Sequence, residues 1–146
     1  MRDCTQFYID GQWVDPVEEN TVAVENPATE ETIGHISFGA CADVDKAVAA
    51  ARRAFESFSQ TSKEERLTLL RAIQAEIETR KEELATAVSD EMGAPLSLAN
   101  GPHVGLLAGH CQKAIEVLEG FAFERLDGPT LHVWEPVGVV GMITPW

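Results

Sequence analysis

Positive charge is scarce in this sequence. Lys and Arg total 11 against 24 Asp and Glu in 146 residues, which gives a formal net charge of −13. A polyanion such as DNA or an anionic lipid surface is repelled by such a field, and no basic cluster offsets it. The composition therefore argues against a nucleic-acid-binding protein and against a membrane-surface protein.

Long apolar segments are also missing. The charge-free stretch at the end, Pro136–Trp146, has 11 residues and contains two glycines, whereas a transmembrane helix needs about 20 apolar residues. The opening residues, Met1-Arg2-Asp3-Cys4, are not followed by the leucine-rich region of a signal peptide. We therefore expect no membrane span and a cytoplasmic location.

Cysteine is rare and scattered. Cys4, Cys41 and Cys111 lie far apart, and an odd number without close pairs argues against a disulfide framework and a zinc knuckle. No histidine stands at a spacing that would activate one of these thiols, and the four histidines show no metal-ligand spacing. We therefore assign no catalytic residue to this chain.

The first 40 residues have the pattern of strands and turns. Phe7-Tyr8-Ile9 precedes Asp10-Gly11, a dipeptide that favours a tight hairpin, and Trp13-Val14 follows. A second β-prone run, Thr21–Val24, stops at a proline turn, and a third covers Thr32–Phe38. This region is expected to form short strands.

From residue 43 onward the apolar residues recur at helical spacing, which predicts four helices. Capping boxes are predicted at Ser62-x-x-Glu65 and Thr79-x-x-Glu82, and Gly93 is expected to end the third helix. Asp43 is the predicted N-cap of the first helix, and Pro102 the predicted first residue of the fourth. The fourth helix is expected to bury one apolar face, made of Leu107, Cys111, Ala114, Leu118 and Phe121.

The last 17 residues return to a strand pattern. Thr130–Glu135 alternates between apolar and polar residues, and Val137–Ile143 is nearly continuously apolar. Such a run is typical of a strand buried on both faces of a parallel sheet, and parallel strands need neighbours. We therefore interpret the sequence as the N-terminal piece of a longer α/β protein.

Five segments, in order and at compatible spacing, resemble the aldehyde dehydrogenase superfamily. They span nearly the whole chain, so the resemblance does not depend on any one motif. The segments are Phe7-Tyr8-Ile9-Asp10-Gly11-Gln12-Trp13-Val14, Asn26-Pro27-Ala28-Thr29 with Ile33-Gly34, Asp43–Phe55, Glu91-Met92-Gly93-Ala94-Pro95-Leu96, and Glu135–Trp146.

The resemblance implies a fragment of an α/β fold. An N-terminal β-hairpin and a four-helix layer would lead into the first strand of a doubly wound parallel sheet. Residues 1–129 would form the hairpin and the helical part of the cofactor domain. Residues 130–136 would form an oligomerisation-type strand, and residues 137–146 the first strand of the NAD-binding sheet.

The resemblance also implies a reaction for the parent enzyme. A cysteine thiolate attacks an aldehyde, hydride passes to NAD or NADP, and a glutamate-activated water hydrolyses the thioester to a carboxylic acid. The asparagine that would hold the oxyanion is expected directly after Trp146, and the cysteine and glutamate much later. None of these positions falls within the 146 residues, so the chain by itself is expected to be inactive.

The resemblance assigns two groups of binding residues. Ile143, Thr144, Pro145 and Trp146 would line the dinucleotide cleft, because open α/β sheets bind ligands at the carboxyl ends of their strands. Glu91, with backbone carbonyls near Val24 and Glu25, resembles a monovalent-cation site seen in some members, and oxygen ligands suit a hard cation. Ordinary helix-end polarity is the competing interpretation of Glu91.

Two functions remain open from the sequence. The first is the N-terminal portion of an NAD(P)-dependent aldehyde dehydrogenase, which would act on an aldehyde as a homo-oligomer. The second is a non-catalytic helical interaction or regulatory module derived from such an enzyme.

Overall fold

A computed structural model describes residues 2–144 as a mixed α/β structure. Among these residues, seven strands and five α-helices occur, and a π-helix (Ala99–His103) joins the last two helices. The strands are β1 (Arg2–Cys4), β2 (Phe7–Ile9), β3 (Gln12–Val14), β4 (Thr21–Asn26), β5 (Glu31–Ser37), β6 (Glu124–Asp127) and β7 (Thr130–Val133). The α-helices are α1 (Cys41–Phe58), α2 (Lys63–Thr79), α3 (Lys81–Met92), α4 (Leu96–Leu98) and α5 (Val104–Gly120).

The N-terminal strands form a sheet and a separate hairpin. In the sheet, β5 lies between β1, to which it is parallel, and β4, to which it is antiparallel. The hairpin pairs β2 with β3 through Asp10 and Gly11, whose φ angles of 55° and 78° suit a two-residue turn. The predicted hairpin and the two predicted strands that follow it are confirmed, whereas β1 was not foreseen.

A second hairpin follows α5. β6 and β7 pair antiparallel with Glu124 opposite Val133, and Gly128 has a φ of 58° in the turn. The strand predicted from Thr130 is confirmed as far as Val133. Its partner β6 was missed, because Glu124-Arg125-Leu126-Asp127 has three charged residues in four and little strand character.

The start of α2 is confirmed and the start of α3 is not. The Ser62 hydroxyl accepts a hydrogen bond from the Glu65 backbone N–H, and the Glu65 carboxylate accepts one from the Ser62 N–H at 2.7 Å. The predicted cap at Thr79 is wrong, because its hydroxyl instead donates to the Ala75 carbonyl within α2. Helix α3 begins after Arg80 without a side-chain cap.

The fourth predicted helix, α5, begins at Val104, two residues later than expected. Pro102 is not its first residue but lies inside the π-helix that connects α4 to α5. Proline lacks the N–H that an α-helix requires and its ring crowds the preceding turn, and wider π-type bonding accommodates both defects. Gly93 ends α3 as predicted, with a φ of 69°.

The predicted strand Val137–Ile143 is not paired. No strand occurs over residues 134–144, and Val137 and Ile143 are 89% and 98% exposed. A strand exists only through hydrogen bonds to a neighbour, and no other described strand pairs with this segment. Its membership of an NAD-binding sheet therefore stays a prediction.

The buried core is small and lies among the helices. Ala85, Ala99 and Val104 form a buried cluster, with Leu84 and Val88 packed against it. Helix α2 packs along α5, and the Cys111 thiol donates to the Leu70 carbonyl at 3.4 Å. The predicted face of α5 is partly wrong: Leu107, Ala114 and Phe121 are exposed, whereas the covered residues are Val104, Ala108, Cys111, Ile115 and Leu118. No helix among the described residues is long and apolar enough to cross a bilayer.

Asp43 joins the N-terminal segment to the helices. It occupies the third position of α1 rather than the predicted cap, and is only 4% exposed. One carboxylate oxygen accepts from the Val17 N–H and the other from the Ala40 N–H, both at 3.0 Å. The loop after β3 is thereby attached to the first turn of α1.

We predict that Asp43→Ala lowers the free energy of unfolding by about 1–3 kcal/mol, because two part-buried backbone N–H groups lose their acceptor. Urea unfolding followed by helical circular dichroism measures the change. Asp45→Ala is the control, since Asp45 is exposed on the same helix and carries the same change in helix propensity. Equal effects of the two substitutions would contradict the role given to Asp43.

The capping box of α2 predicts a pH dependence. Hydrogen bonds from the Ser62 N–H and hydroxyl lower the pKa of Glu65 below its ordinary value of 4.5. A carboxyl with a depressed folded-state pKa stabilises the fold above its unfolded pKa, and this stabilisation is lost as the pH falls through the folded-state pKa. Stability measured from pH 6 downward should fall less steeply in Glu65→Gln than in the unchanged chain. Glu64→Gln, in the same helical turn, should keep the steeper fall.

Candidate functional site

A large cleft lies between the N-terminal sheet and α3. Its volume is about 630 Å³. Strands β4 and β5 supply one wall and helix α3 the other. The lining residues are Cys4, Val24, Thr32, Ile33, Gly34, Ile36, Arg80, Glu83, Leu84, Ala87, Asp90 and Glu91.

The charges in this cleft are unevenly distributed. At one end the Arg80 guanidinium donates to both carboxylate oxygens of Glu83, at 2.8 and 2.9 Å, and Glu83 raises the pKa of Arg80. At the other end Asp90 and Glu91 bring two carboxylates to the cleft. Among residues 2–144, no group of three or more His, Cys, Asp or Glu side chains is placed to hold a metal ion.

The two residues predicted to hold a cation are placed differently. Glu91 lines the cleft together with Val24, whereas Glu25 is exposed on the next position of β4 and does not line it. The pairing of β4 with β5 shifts register between Val24 and Glu25, and such a bulge changes the direction of the backbone carbonyls. The structure therefore brings Glu91 and Val24 together, and leaves Glu25 able to contribute only through its backbone.

Gly93 controls how the end of α3 meets the sheet. A Cβ atom at Gly93 would lie 2.8 Å from the Pro27 ring, so the helix end approaches the turn after β4 without room for a side chain. The Asn26 side chain accepts from the Ala28 N–H at 2.9 Å and fixes that turn. The contact between Gly93 and Pro27 thus sets the distance between Glu91 and β4.

The residues predicted to bind the dinucleotide lie at the end of the unpaired segment. Ile143 is almost fully exposed and Thr144 is also exposed, whereas Pro145 and Trp146 lie outside the described residues. An apolar side chain and a hydroxyl fit one wall of a dinucleotide cleft. A complete dinucleotide site also needs a helix N-terminus that receives the pyrophosphate. Their role in binding a dinucleotide therefore stays a prediction.

A second cleft, of about 400 Å³, was missed by the sequence reasoning. Lys63 and Arg66, on the first turn of α2, face Phe121, Phe123 and Trp134 across it. The Lys63 ammonium donates to the Glu119 carbonyl at 2.8 Å, at the end of α5. A cation at a helix N-terminus interacts unfavourably with the dipole of its own helix. The place of Lys63 at the first position of α2 was therefore a signal in the sequence that it binds the end of another helix.

Arg66 binds the C-terminal end of α1 in the same way. Its guanidinium donates to the carbonyls of Phe58 and Ser59 and lies 5.7 Å from the centroid of the Phe58 ring. Positive charge stabilises a helix C-terminus. The two cations therefore join the ends of α1 and α5 to the start of α2.

Comparison with known proteins decides the family. Residues 13–146 match the family profile described as "Aldehyde dehydrogenase family". This chain belongs to the aldehyde dehydrogenase family. A putative aldehyde dehydrogenase of Staphylococcus aureus (strain bovine RF122 / ET3-1) is 47% identical to it over 146 residues, which are all of this chain and 31% of that protein.

Solved aldehyde dehydrogenases share the fold. That of Bartonella henselae superposes with a TM-score of 0.86 at 34% identity, over 89% of this chain and 28% of the other. Aldehyde dehydrogenase C (AldC) of Pseudomonas syringae, a mutant solved with NAD⁺ and octanal, gives a TM-score of 0.84 at 46% identity, over 87% and 26%. This aldehyde dehydrogenase chain thus spans about a third of the length of the curated relatives it matches.

We predict that Gly93→Ala lowers the free energy of unfolding by about 1–3 kcal/mol, because alanine is strained at a left-handed φ and its methyl would overlap the Pro27 ring. Gly120→Ala is the matched control: it lies at the end of α5, where an added Cβ meets no atom within 4 Å. Thermal unfolding of the two variants checks this. A Gly93→Ala variant as stable as Gly120→Ala would show that the contact with Pro27 constrains nothing.

Proposed function

We propose that this chain is the N-terminal third of an NAD-dependent aldehyde dehydrogenase that oxidises an aldehyde to a carboxylic acid. One observation carries the proposal: 46% identity and a TM-score of 0.84 to AldC, an aldehyde dehydrogenase solved with NAD⁺ and octanal. The agreement extends over 87% of the chain rather than over one motif.

In this proposal the chain supplies part of the cofactor-binding cleft and none of the catalytic residues. Bound NAD or NADP would accept a hydride from the substrate carbon. Ile143 and Thr144, with Pro145 and Trp146 of the sequence, would line one wall of the cleft that holds it. Val137–Ile143 would enter the cofactor-binding sheet as a strand, and the side chains after it would then lie at the carboxyl edge of that sheet.

The chain on its own lacks the means to form a covalent intermediate. An effective cysteine nucleophile needs a lowered pKa or an adjacent base. The Cys111 thiol donates to the Leu70 carbonyl and is half-buried on the α2 side of α5, while Cys4 and Cys41 are exposed. We therefore propose that the reaction depends on residues outside these 146.

Three further properties belong to the same proposal. A monovalent cation would bind at the α3 cleft through the Glu91 carboxylate and backbone oxygens near Val24 and Glu25, where the β4 bulge turns the carbonyls. The hairpin β6–β7, exposed at every residue, would bridge subunits of a homo-oligomer. The enzyme would be cytoplasmic.

We predict that the purified 146-residue chain forms no NADH or NADPH from octanal. Fused to the part of unmutated AldC that lies beyond the matched region, it should form NADH at a measurable rate. Absorbance of the reduced cofactor measures both. Turnover by the chain alone that exceeds a Cys111→Ala control would contradict the absence of a nucleophile, and a folded but inactive fusion would contradict the proposed function.

A further inference from the structure

Lys63 and Arg66 differ from other cations of this chain. Both are half-buried, and among residues 2–144 neither forms an ion pair with a carboxylate. Several exposed cations do form such pairs: Arg53, Arg71, Arg80 and Lys113. A charge withdrawn from water is normally paired with an opposite charge. The two half-buried cations therefore keep a positive charge that the described residues do not neutralise, in a chain of net charge −13.

Both side chains have N–H groups left over from their structural bonds. The Arg66 guanidinium donates from Nε to the Thr61 hydroxyl at 2.9 Å and from Nη2 to two carbonyls at 3.3 and 3.4 Å. Its Nη1 group has no partner in the described part of the chain. The Lys63 ammonium has three N–H groups and donates to two carbonyls, those of Glu119 and Phe121, at 2.8 and 3.4 Å. A ligand that accepts hydrogen bonds would therefore meet donors that are already held in place.

Aromatic rings form the other wall of the 400 Å³ cleft that these cations line. The Phe121 ring packs edge to face with Phe123 and with Trp134, at centroid distances of 4.9 and 5.8 Å. The three residues remain 36%, 37% and 45% exposed, so the cluster holds its rings in a fixed arrangement without covering them. Apolar walls with a few fixed polar groups, around a few hundred Å³, are typical of a small-molecule site.

The acidic groups around this cleft do not cancel its positive charge. Glu135 lines the cleft and is exposed, and its carboxylate forms no ion pair with Lys63 or Arg66. The Glu119 carboxylate is bound to Arg71 at 2.7 Å. Two cations and one carboxylate leave a positive excess, which favours an anion over a neutral molecule. The aromatic wall favours an anion with a flat apolar body.

We infer that this cleft binds a small aromatic carboxylate. The carboxylate accepts hydrogen bonds from the Arg66 Nη1 group and from the Lys63 ammonium, and the ring of the ligand packs against Phe121, Phe123 and Trp134. Hydrogen bonds between charged partners are stronger than those between neutral ones, and a planar guanidinium matches a planar carboxylate. The site takes no part in the oxidation of an aldehyde, so this inference goes beyond the proposed function and does not rest on it.

Titration with sodium benzoate at constant ionic strength tests the site. Nuclear magnetic resonance of the ¹⁵N-labelled 146-residue chain follows the tryptophan indole N–H signals, and helical circular dichroism shows that the chain is folded. We expect a saturable shift of the Trp134 signal, assigned through its loss in Trp134→Leu, and no shift of the Trp13 signal. Acetate has no apolar body and benzyl alcohol has no charge, so each should bind about tenfold more weakly. Cyclohexanecarboxylate has no aromatic ring and should bind about threefold more weakly.

Substitutions in both walls locate the site. Lys63→Gln and Arg66→Gln each remove a charge but keep an N–H group that can donate to the carbonyls, and each should weaken benzoate binding about tenfold. Lys81→Gln is the matched control, because Lys81 is the first residue of α3 as Lys63 is of α2, and is exposed. Phe123→Leu keeps the wall apolar and should weaken binding about threefold. It tests the site without touching the residues that join the helix ends.

Several outcomes would overturn the inference. One is a folded chain in which benzoate produces no saturable shift of the Trp134 signal. Acetate that binds as tightly as benzoate would show that the aromatic wall recognises nothing, and benzyl alcohol that does so would show that the cations take no part. Equal weakening by Lys81→Gln and Lys63→Gln would show an effect of net charge rather than of the cleft. None of these results bears on NADH formation by the AldC fusion, so the site and the proposed function fail separately.

Discussion

The packing of α2 against α5 is the contact on which the rest of the structure depends. Leu67 and Ile77 of α2 and Ile115 of α5 are buried, and the Cys111 thiol reaches the Leu70 carbonyl across the interface. Lys63 and Arg66, at the start of α2, bind the carbonyl ends of α5 and α1. The helical layer, and the hairpin β6–β7 that follows α5, therefore take their positions from one helix pair.

Local signals in the sequence predicted local structure well. Asp10-Gly11, the Ser62–Glu65 capping box and Gly93 each determine the backbone within four residues, and the structure confirms all three. The errors at Thr79 and Pro102 have a common origin. The Thr79 hydroxyl bonds to the Ala75 carbonyl within α2 and does not cap α3. The chain around Pro102 continues in π-helical hydrogen bonding and does not start a new helix there.

Features that depend on distant residues were beyond sequence reasoning. The pattern of α5 is apolar on two adjoining sides, so periodicity alone could not tell the side covered by α2 from the uncovered one. The α3 cleft needs the contact of Gly93 with Pro27, 66 positions earlier in the chain, and the bulge after Val24. Glu91 was found through a family resemblance, whereas Lys63 and Arg66 could have been found from their unfavourable place at a helix start.

The same reasoning explains why the apolar run Val137–Ile143 is predicted to be a strand although the structure forms no strand there. An apolar composition indicates that a segment is suited to a buried position. A strand is assigned only when a neighbouring strand is present to form hydrogen bonds with it. A run of this kind left exposed costs solubility and invites aggregation, so its apolar residues are explained only by burial in an assembly. The exposed α5 face and the unpaired segment are therefore two consequences of one cause: the small core of the described residues cannot cover the apolar surface that this sequence encodes.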